Sequence, residues 1–309
     1  MHVVEKHNHV LRMLFMIHAC RLLIVALIVF ALVACANLAL VPKTPVHMPK
    51  QHSLQSACAA WKSSASRHTR VLGIAGLFNT GTNLLYQLLQ QNCKFPRDSQ
   101  IHWQVPWGKH NPVSFRGRLV ANTEEAASVK QHKEVLPILI VKDPLRWVAS
   151  MCRHSYTAHW NAMYQCPNLV YNKRPETPLE VIVRFGHNHT VEYKSLVHMW
   201  NTWYSQWLDS EFPFWIVRFE DLLFQSQAVV TRICECVHGL TTKPFQHIHK
   251  RASPSKHGET PSGLNDTLKL YSNQTARTSG FSVQDLEYFD KSIDKTLLDK
   301  FGYNKSLFF

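Results

Sequence analysis

Acidic side chains are scarce in this chain: 21 Asp and Glu stand against 34 Lys and Arg in 309 residues, a formal net charge of +13 before any of the 19 histidines is counted. Such a balance suits anionic ligands, whether a nucleotide, an acidic glycan, a nucleic acid or a membrane surface. Helix-turn-helix, RNA-recognition and zinc-finger patterns are missing, and the basic residues are scattered rather than gathered in a tail, which argues against nucleic acid. No Asp-x-Asp pair exists to hold the cation of a nucleotide sugar, which counts against a metal-dependent glycosyltransferase. Cys234-Glu235-Cys236 has no zinc spacing and no His-x-x-x-His beside it, so no metal is expected. Internal repeats are absent as well.

What is present begins with an apolar run. Leu22 to Val41 carries no charge and one polar side chain, Asn37; its twenty residues, at about 1.5 Å each, span roughly 30 Å, one hydrocarbon thickness. Lys6, Arg12 and Arg21 precede it, favouring a cytoplasmic tail (1–21), a signal anchor (22–41) and a remainder across the membrane. Ala34-Cys35-Ala36 supplies the rival reading, a cleaved signal peptide, but the run is long for one. Pro42, Pro45, Pro49 and Ser63-Ser64-Ala65-Ser66, without apolar periodicity, read as a stem over 42–70. Sequons at Asn188, Asn265, Asn273 and Asn304 all lie beyond the anchor. Cys58, Cys93, Cys152, Cys166, Cys234 and Cys236 suffice for three disulfides; Cys152 with Cys166 is a plausible pair, and Cys234 with Cys236 is too close for an easy one.

The folded part is organised around Val71 to Gln91. Val71, Leu72, Ile74, Ala75 and Leu77 read as a short buried strand, Thr80 and Gly81 break it, and Leu84, Leu85, Leu88 and Leu89 recur at helical spacing. A turn feeding a helix N-terminus presents unpaired N–H groups and the positive pole of the helix dipole, an anion site. Gly76 and Gly81 have P-loop spacing, but Thr82 and Asn83 stand where Lys and Ser/Thr would grip a γ-phosphate and Mg²⁺, a serious defect for a kinase. A second continuous apolar run, Leu136 to Val141, reads as a central parallel strand ending at Lys142-Asp143-Pro144. Proline suits a first helical turn, which puts Lys142 and Asp143 at the carboxyl edge of the sheet, where α/β proteins bind ligands.

These segments resemble the sulfotransferases, whose strand-loop-helix of type PKSGTT or RTGTT holds the 5′ side of 3′-phosphoadenosine 5′-phosphosulfate (PAPS). On that pattern Asn79, Thr80, Gly81, Thr82 and Asn83 fall on the donor loop, with Asn79 where the family usually has Lys or Arg. Lys142 and Ser150 fall on the Arg and Ser of the family's R-x-P-x-x-x-x-x-S motif, which clamps the 3′-phosphate; Arg146 is expected to supply some of the geometry that Lys lacks. Lys109-His110, in the loop His102 to Pro112, is similar to the family's K-x-H pair, although adjacent here. That implies His110 as base, with His102, His154 and Glu124 in reserve. Arg218-Phe219-Glu220-Asp221-Leu222 is similar to the structural R-Y-E-D-L segment, and Leu298-Asp299-Lys300-Phe301-Gly302-Tyr303 to the terminal L-x-x-F-G-Y. Lys256, His257 and Gly258 fall in a late basic loop of the kind that folds over the nucleotide.

The resemblance, over about residues 71–303, implies an α/β domain with a P-loop-like central parallel sheet flanked by helices, and a single-pass type II Golgi membrane protein. The implied activity is PAPS-dependent sulfuryl transfer, without metal, to a hydroxyl of a glycan acceptor. Lys109 or Lys256 is expected to replace the charge absent at Asn79. The alternatives are an inactive relative that binds anionic glycans and a membrane-anchored glycosyltransferase. The aromatic stripe Leu196, Trp200, Trp203, Tyr204 and Trp207, at helical spacing, is expected to be core rather than a carbohydrate platform.

Overall fold

A computed structural model describes residues 54–64, 70–116, 134–161, 163–185, 189–248 and 263–303. The expected anchor, Leu22 to Val41, and the loop with Lys256, His257 and Gly258 lie outside the described residues, as does Glu124. Among the described residues no helix is long and apolar enough to cross a membrane.

The protein is α/β. Four parallel strands, β1 (Arg70–Gly76), β2 (Ser99–His102), β3 (Val135–Val141) and β4 (Trp215–Arg218), form one sheet in the order β4-β3-β1-β2. Side chains alternate across a strand, and here both faces are covered. Leu72, Ile74, Leu136, Ile138 and Ile140 point to one face, against α1 (Leu54–Ser64), α2 (Thr82–Asn92) and α6 (Ser226–Cys236). Val71, Ala75, Leu139 and Val141 point to the other, against α3 (Pro144–Arg153) and α4 (Leu196–Leu208). The remaining helices are α5 (Phe219–Phe224), α7 (Leu264–Ser272), α8 (Val283–Ser292) and α9 (Lys295–Lys300). Between α3 and α4 the chain makes a three-stranded antiparallel sheet, Ala158–Trp160, Val181–Arg184 and Thr190–Tyr193, and a small hairpin.

The strand order creates a switch point. From β1 the chain passes through α2 to β2 on one side, then crosses to β3 on the other. Helix α2 covers one face and α3 the opposite face. The two loops therefore diverge at the carboxyl ends of β1 and β3, above the Gly76–Ile140 pair, the place where open α/β sheets form their ligand crevice.

One expectation changes. Residues 54–64 of the stretch read as a stem are a helix of the folded unit: Ala57 and Trp61 are buried, and the Trp61 indole donates to the Glu134 carbonyl at 2.9 Å. Trp61 supplies most of the buried area of this polar segment, and Ala57 and the half-cystine Cys58 complete its docked face. The terminal segment Phe281–Tyr303 is two helices, α8 and α9, the second capped by Asp294. Disulfides join Cys58 to Cys236, Cys93 to Cys234 and Cys152 to Cys166. The C-x-C pair thus receives one bridge from α1 and one from the end of α2.

Trp61→Ala should cost about 3–5 kcal/mol in chemical denaturation, as expected for a fully buried aromatic; a loss under about 1 kcal/mol would contradict the docking of α1.

Candidate functional site

The crevice is lined first by the glycine loop. A Cβ on Gly76 would meet Thr80 Oγ1 at 2.5 Å, and Gly81, at φ 90°, would drive one into the Phe219 ring at 2.5 Å. Only glycine permits either approach. Thr80 is buried, its hydroxyl donating to the Leu77 carbonyl at 2.7 Å, so it shapes the turn. Thr82 is buried and Asn83 exposed at the first turn of α2, where the N–H groups of a helix have no intrahelical acceptor.

Cations converge on this turn. Lys142, at the end of β3, is buried; its Nζ donates to Ser150 Oγ at 2.7 Å and to the Asn79 carbonyl at 3.2 Å. The glycine loop and the Lys142/Ser150 segment are therefore joined directly. Ser150 Oγ also accepts from Arg153 Nη2 at 2.9 Å and donates to the Arg146 carbonyl at 2.8 Å. Burial, with the charges of Arg153 and Arg146, lowers the Lys142 pKa to about 7, against the partial offset of Glu220 and Asp143. On the other side, Lys109 Nζ donates to Asn83 Oδ1 at 2.7 Å and lies 3.9 Å from the Trp103 ring centre. Burial lowers its pKa to about 8. A cation held at the positive pole of a helix is repelled by it, and an anion between them relieves both.

His110 packs beside the same loop. Its Nδ1 lies 2.6 Å from the Gly76 carbonyl, which can only accept, so Nδ1 carries the proton and Nε2 keeps its lone pair. Burial and the neighbouring Lys109 charge lower its pKa to about 3, against the pull of that carbonyl. The imidazole is neutral over the whole physiological range. Its ring lies 4.8 Å from Phe78 and 6.0 Å from Tyr156. Of the reserve histidines, His102 pairs in register with Gly73, below the loop, whereas His154 follows α3 and stacks on Tyr156 at 4.0 Å.

One residue departs from its expected role, and two others take roles that no motif assigned. Arg146 does not supplement Lys142: its guanidinium donates to the carbonyls of Leu270, Asn273 and Ala276, capping the end of α7. Arg153, which no sequence motif singles out, is the second cation on Ser150. Asn79 has φ 60°, and its amide donates to the His154 carbonyl at 2.7 Å and lies 3.3 Å from Met151 Sδ. Its side chain thus fastens the loop to the end of α3.

Indole and phenol tips hold the floor. Trp147 donates to the Phe78 carbonyl, Trp200 to Lys142, Trp203 to His110, and Tyr204 OH to Ile140, at 2.7 to 3.2 Å. The α4 stripe is core, as expected, but its polar ends also fix the site backbone. Glu220 accepts from the Asp143 N–H at 3.1 Å and from Tyr303 OH at 2.7 Å, while Arg277 pairs with Asp143 at 2.5 Å. Among the described residues no group of three or more His, Cys, Asp and Glu is placed to hold a metal ion. A surface groove along α5 and α6, from Phe224 to Glu235 with His247, shares no residue with this crevice.

No protein-family model matches the chain, and a comparison with curated proteins finds no significant relative.

Both lysines are cationic below their lowered pKa values and neutral above them. Inorganic sulfate binding, followed by calorimetry, should be strongest below pH 7 and weaken as Lys142 near 7 and Lys109 near 8 lose their protons. Lys142→Met should remove the first of these losses; a wild-type affinity flat from pH 6 to 9 would contradict the arrangement.

Proposed function

We propose that the protein transfers a sulfuryl group from PAPS to a hydroxyl of a glycan acceptor, in the secretory pathway, from a membrane-anchored position. The observation that carries the reading is the junction of Lys142 Nζ with both Ser150 Oγ and the Asn79 carbonyl, which unites two sequence-distant motifs at one crevice. The chemistry of the group set suits a nucleotide bearing phosphates at both ends: two clusters of cation, hydroxyl or amide, and helix N–H. When bound, the nucleotide supplies an activated sulfuryl group and a phosphate oxygen as leaving group.

Lys142, Ser150 and Arg153 are the residues to hold a 3′-phosphate. Thr80 to Asn83 with Lys109 hold the 5′ side, and Lys109 supplies the charge that Asn79 does not. Fixed donors aimed at the developing charge often lower such a barrier more than any other single effect. His110 takes the acceptor proton on Nε2, the nitrogen that the Gly76 carbonyl leaves with its lone pair, once the negative charge of the bound nucleotide offsets the burial and the Lys109 charge that hold its basicity low. Lys256, His257 and Gly258 are proposed to close over the nucleotide. Sequons, a half-cystine framework and a preceding apolar run support the secretory setting.

The test is incubation with radiolabelled PAPS and a panel of glycans without added metal. Label should enter an acceptor, Lys142→Ala should lower turnover by roughly 10²-fold or more, as for loss of a charge-stabilising group, and His110→Ala by about 10² to 10⁴. PAPS binding with no transfer to any acceptor would favour instead the inactive anion-binding reading, for which the neutral Asn79 is the supporting observation.

A further inference from the structure

Five large apolar or aromatic side chains are exposed among the described residues: Trp103, Tyr156, Ile182, Leu240 and Val283. The two aromatic ones both border the crevice. Trp103 lies against Lys109, which touches Asn83 at the start of α2. Tyr156 stacks on Phe78 of the glycine loop at 5.1 Å and on His154 at 4.0 Å, and its ring is 6.0 Å from His110. Exposed aromatic rings elsewhere on the described surface would make this a coincidence; there are none in that set.

Tyr156 is also presented at a backbone cost. It has φ 55°, in a turn closed by Ala158 N–H donating to the Ser155 carbonyl at 3.0 Å. Glycine or asparagine adopts that position easily, and a bulky aromatic is an outlier there. Strain of this kind persists where the side chain is used.

We propose that Trp103 and Tyr156 form the acceptor ledge, on which a pyranose ring of an acidic glycan stacks while a hydroxyl reaches His110 Nε2. A sugar has the matching chemistry: an apolar C–H face for an aromatic ring, and hydroxyls around its edge for an imidazole. The chain's formal charge of +13 favours an acidic glycan over a neutral one. Tyr156 and Trp103 are positioned to select the acceptor, whereas Lys142 and Ser150 belong to the nucleotide. The inference rests on the sulfuryl-transfer reading for what happens at that hydroxyl, but not for binding.

The probe is an unsulfated hexasaccharide of alternating hexuronate and N-acetylhexosamine, followed by saturation-transfer NMR with and without adenosine 3′,5′-bisphosphate. A tyrosine-containing peptide is tested alongside it. Trp103→Ala and Tyr156→Gly should each weaken hexasaccharide binding about tenfold, and Tyr156→Gly should change bisphosphate affinity less than twofold. Tyr156→Gly should remain folded, since glycine tolerates φ 55°. Hexasaccharide affinity unchanged in both variants would overturn the ledge, and so would binding of the peptide but not the sugar. Sugar binding that depends on both rings in a protein that binds no bisphosphate would uphold the ledge and remove the sulfuryl-transfer reading.

Discussion

A buried ammonium is costly to desolvate, and Lys142 sits where two loops meet. It is held by a hydroxyl from α3 and a carbonyl from the glycine loop, with aromatic rings of Phe219 and Tyr271 at 4.5 and 5.4 Å. Those contacts fix the relative position of the ends of β1 and β3, so the shape of the crevice depends on them. With Arg153 on the same hydroxyl, the arrangement holds like charges close together. An anion in the crevice would relieve that repulsion.

Much of the remaining polar structure maintains this geometry. Asp143 caps α3 through the Arg146 N–H at 3.0 Å and pairs with Arg277, while its own N–H goes to Glu220. Tyr303 completes the chain by donating to Glu220, which connects the last described residues to the junction after β3. Arg218 holds Asp221 through two hydrogen bonds and reaches the Gly302 carbonyl. The RFEDL and FGY segments are thus braces behind the crevice. On the far face, α2 is secured at its other end by Cys93–Cys234, so the helix that presents the loop is fixed at both ends.

The buried strands were legible because burial on both faces leaves a continuous apolar run, as in Leu136 to Val141. The edge strand β2 was not: Ser99-Gln100-Ile101-His102 is mostly polar, since only one neighbour and part of one face cover it. The antiparallel insert between α3 and α4 escaped for a similar reason, its strands being two to five residues long. At the site, the apolar run and Pro144 placed Lys142 at the sheet edge, whereas Ser150 was singled out only by the resemblance to the family motif; the strand-to-helix turn brings the two together. Arg146 and Arg153 could not be told apart by spacing: the partners of Arg146 are carbonyls more than a hundred residues away. Tyr156 carried one latent signal, a tyrosine between Ser155 and Thr157 in a turn, but a positive φ leaves no mark when the residue is not glycine.

The central claim is that Lys142 and Ser150 form a phosphate clamp separate from the one at the start of α2. The most direct measurement compares the affinities of adenosine 3′,5′-bisphosphate and adenosine 5′-monophosphate for the wild-type protein and for Lys142→Ala. Two separate clamps predict that the bisphosphate binds at least about tenfold more tightly, a difference of about 1.4 kcal/mol, and that Lys142→Ala abolishes the advantage, so that the two nucleotides then bind alike. Equal affinity of the wild type for both nucleotides would contradict it.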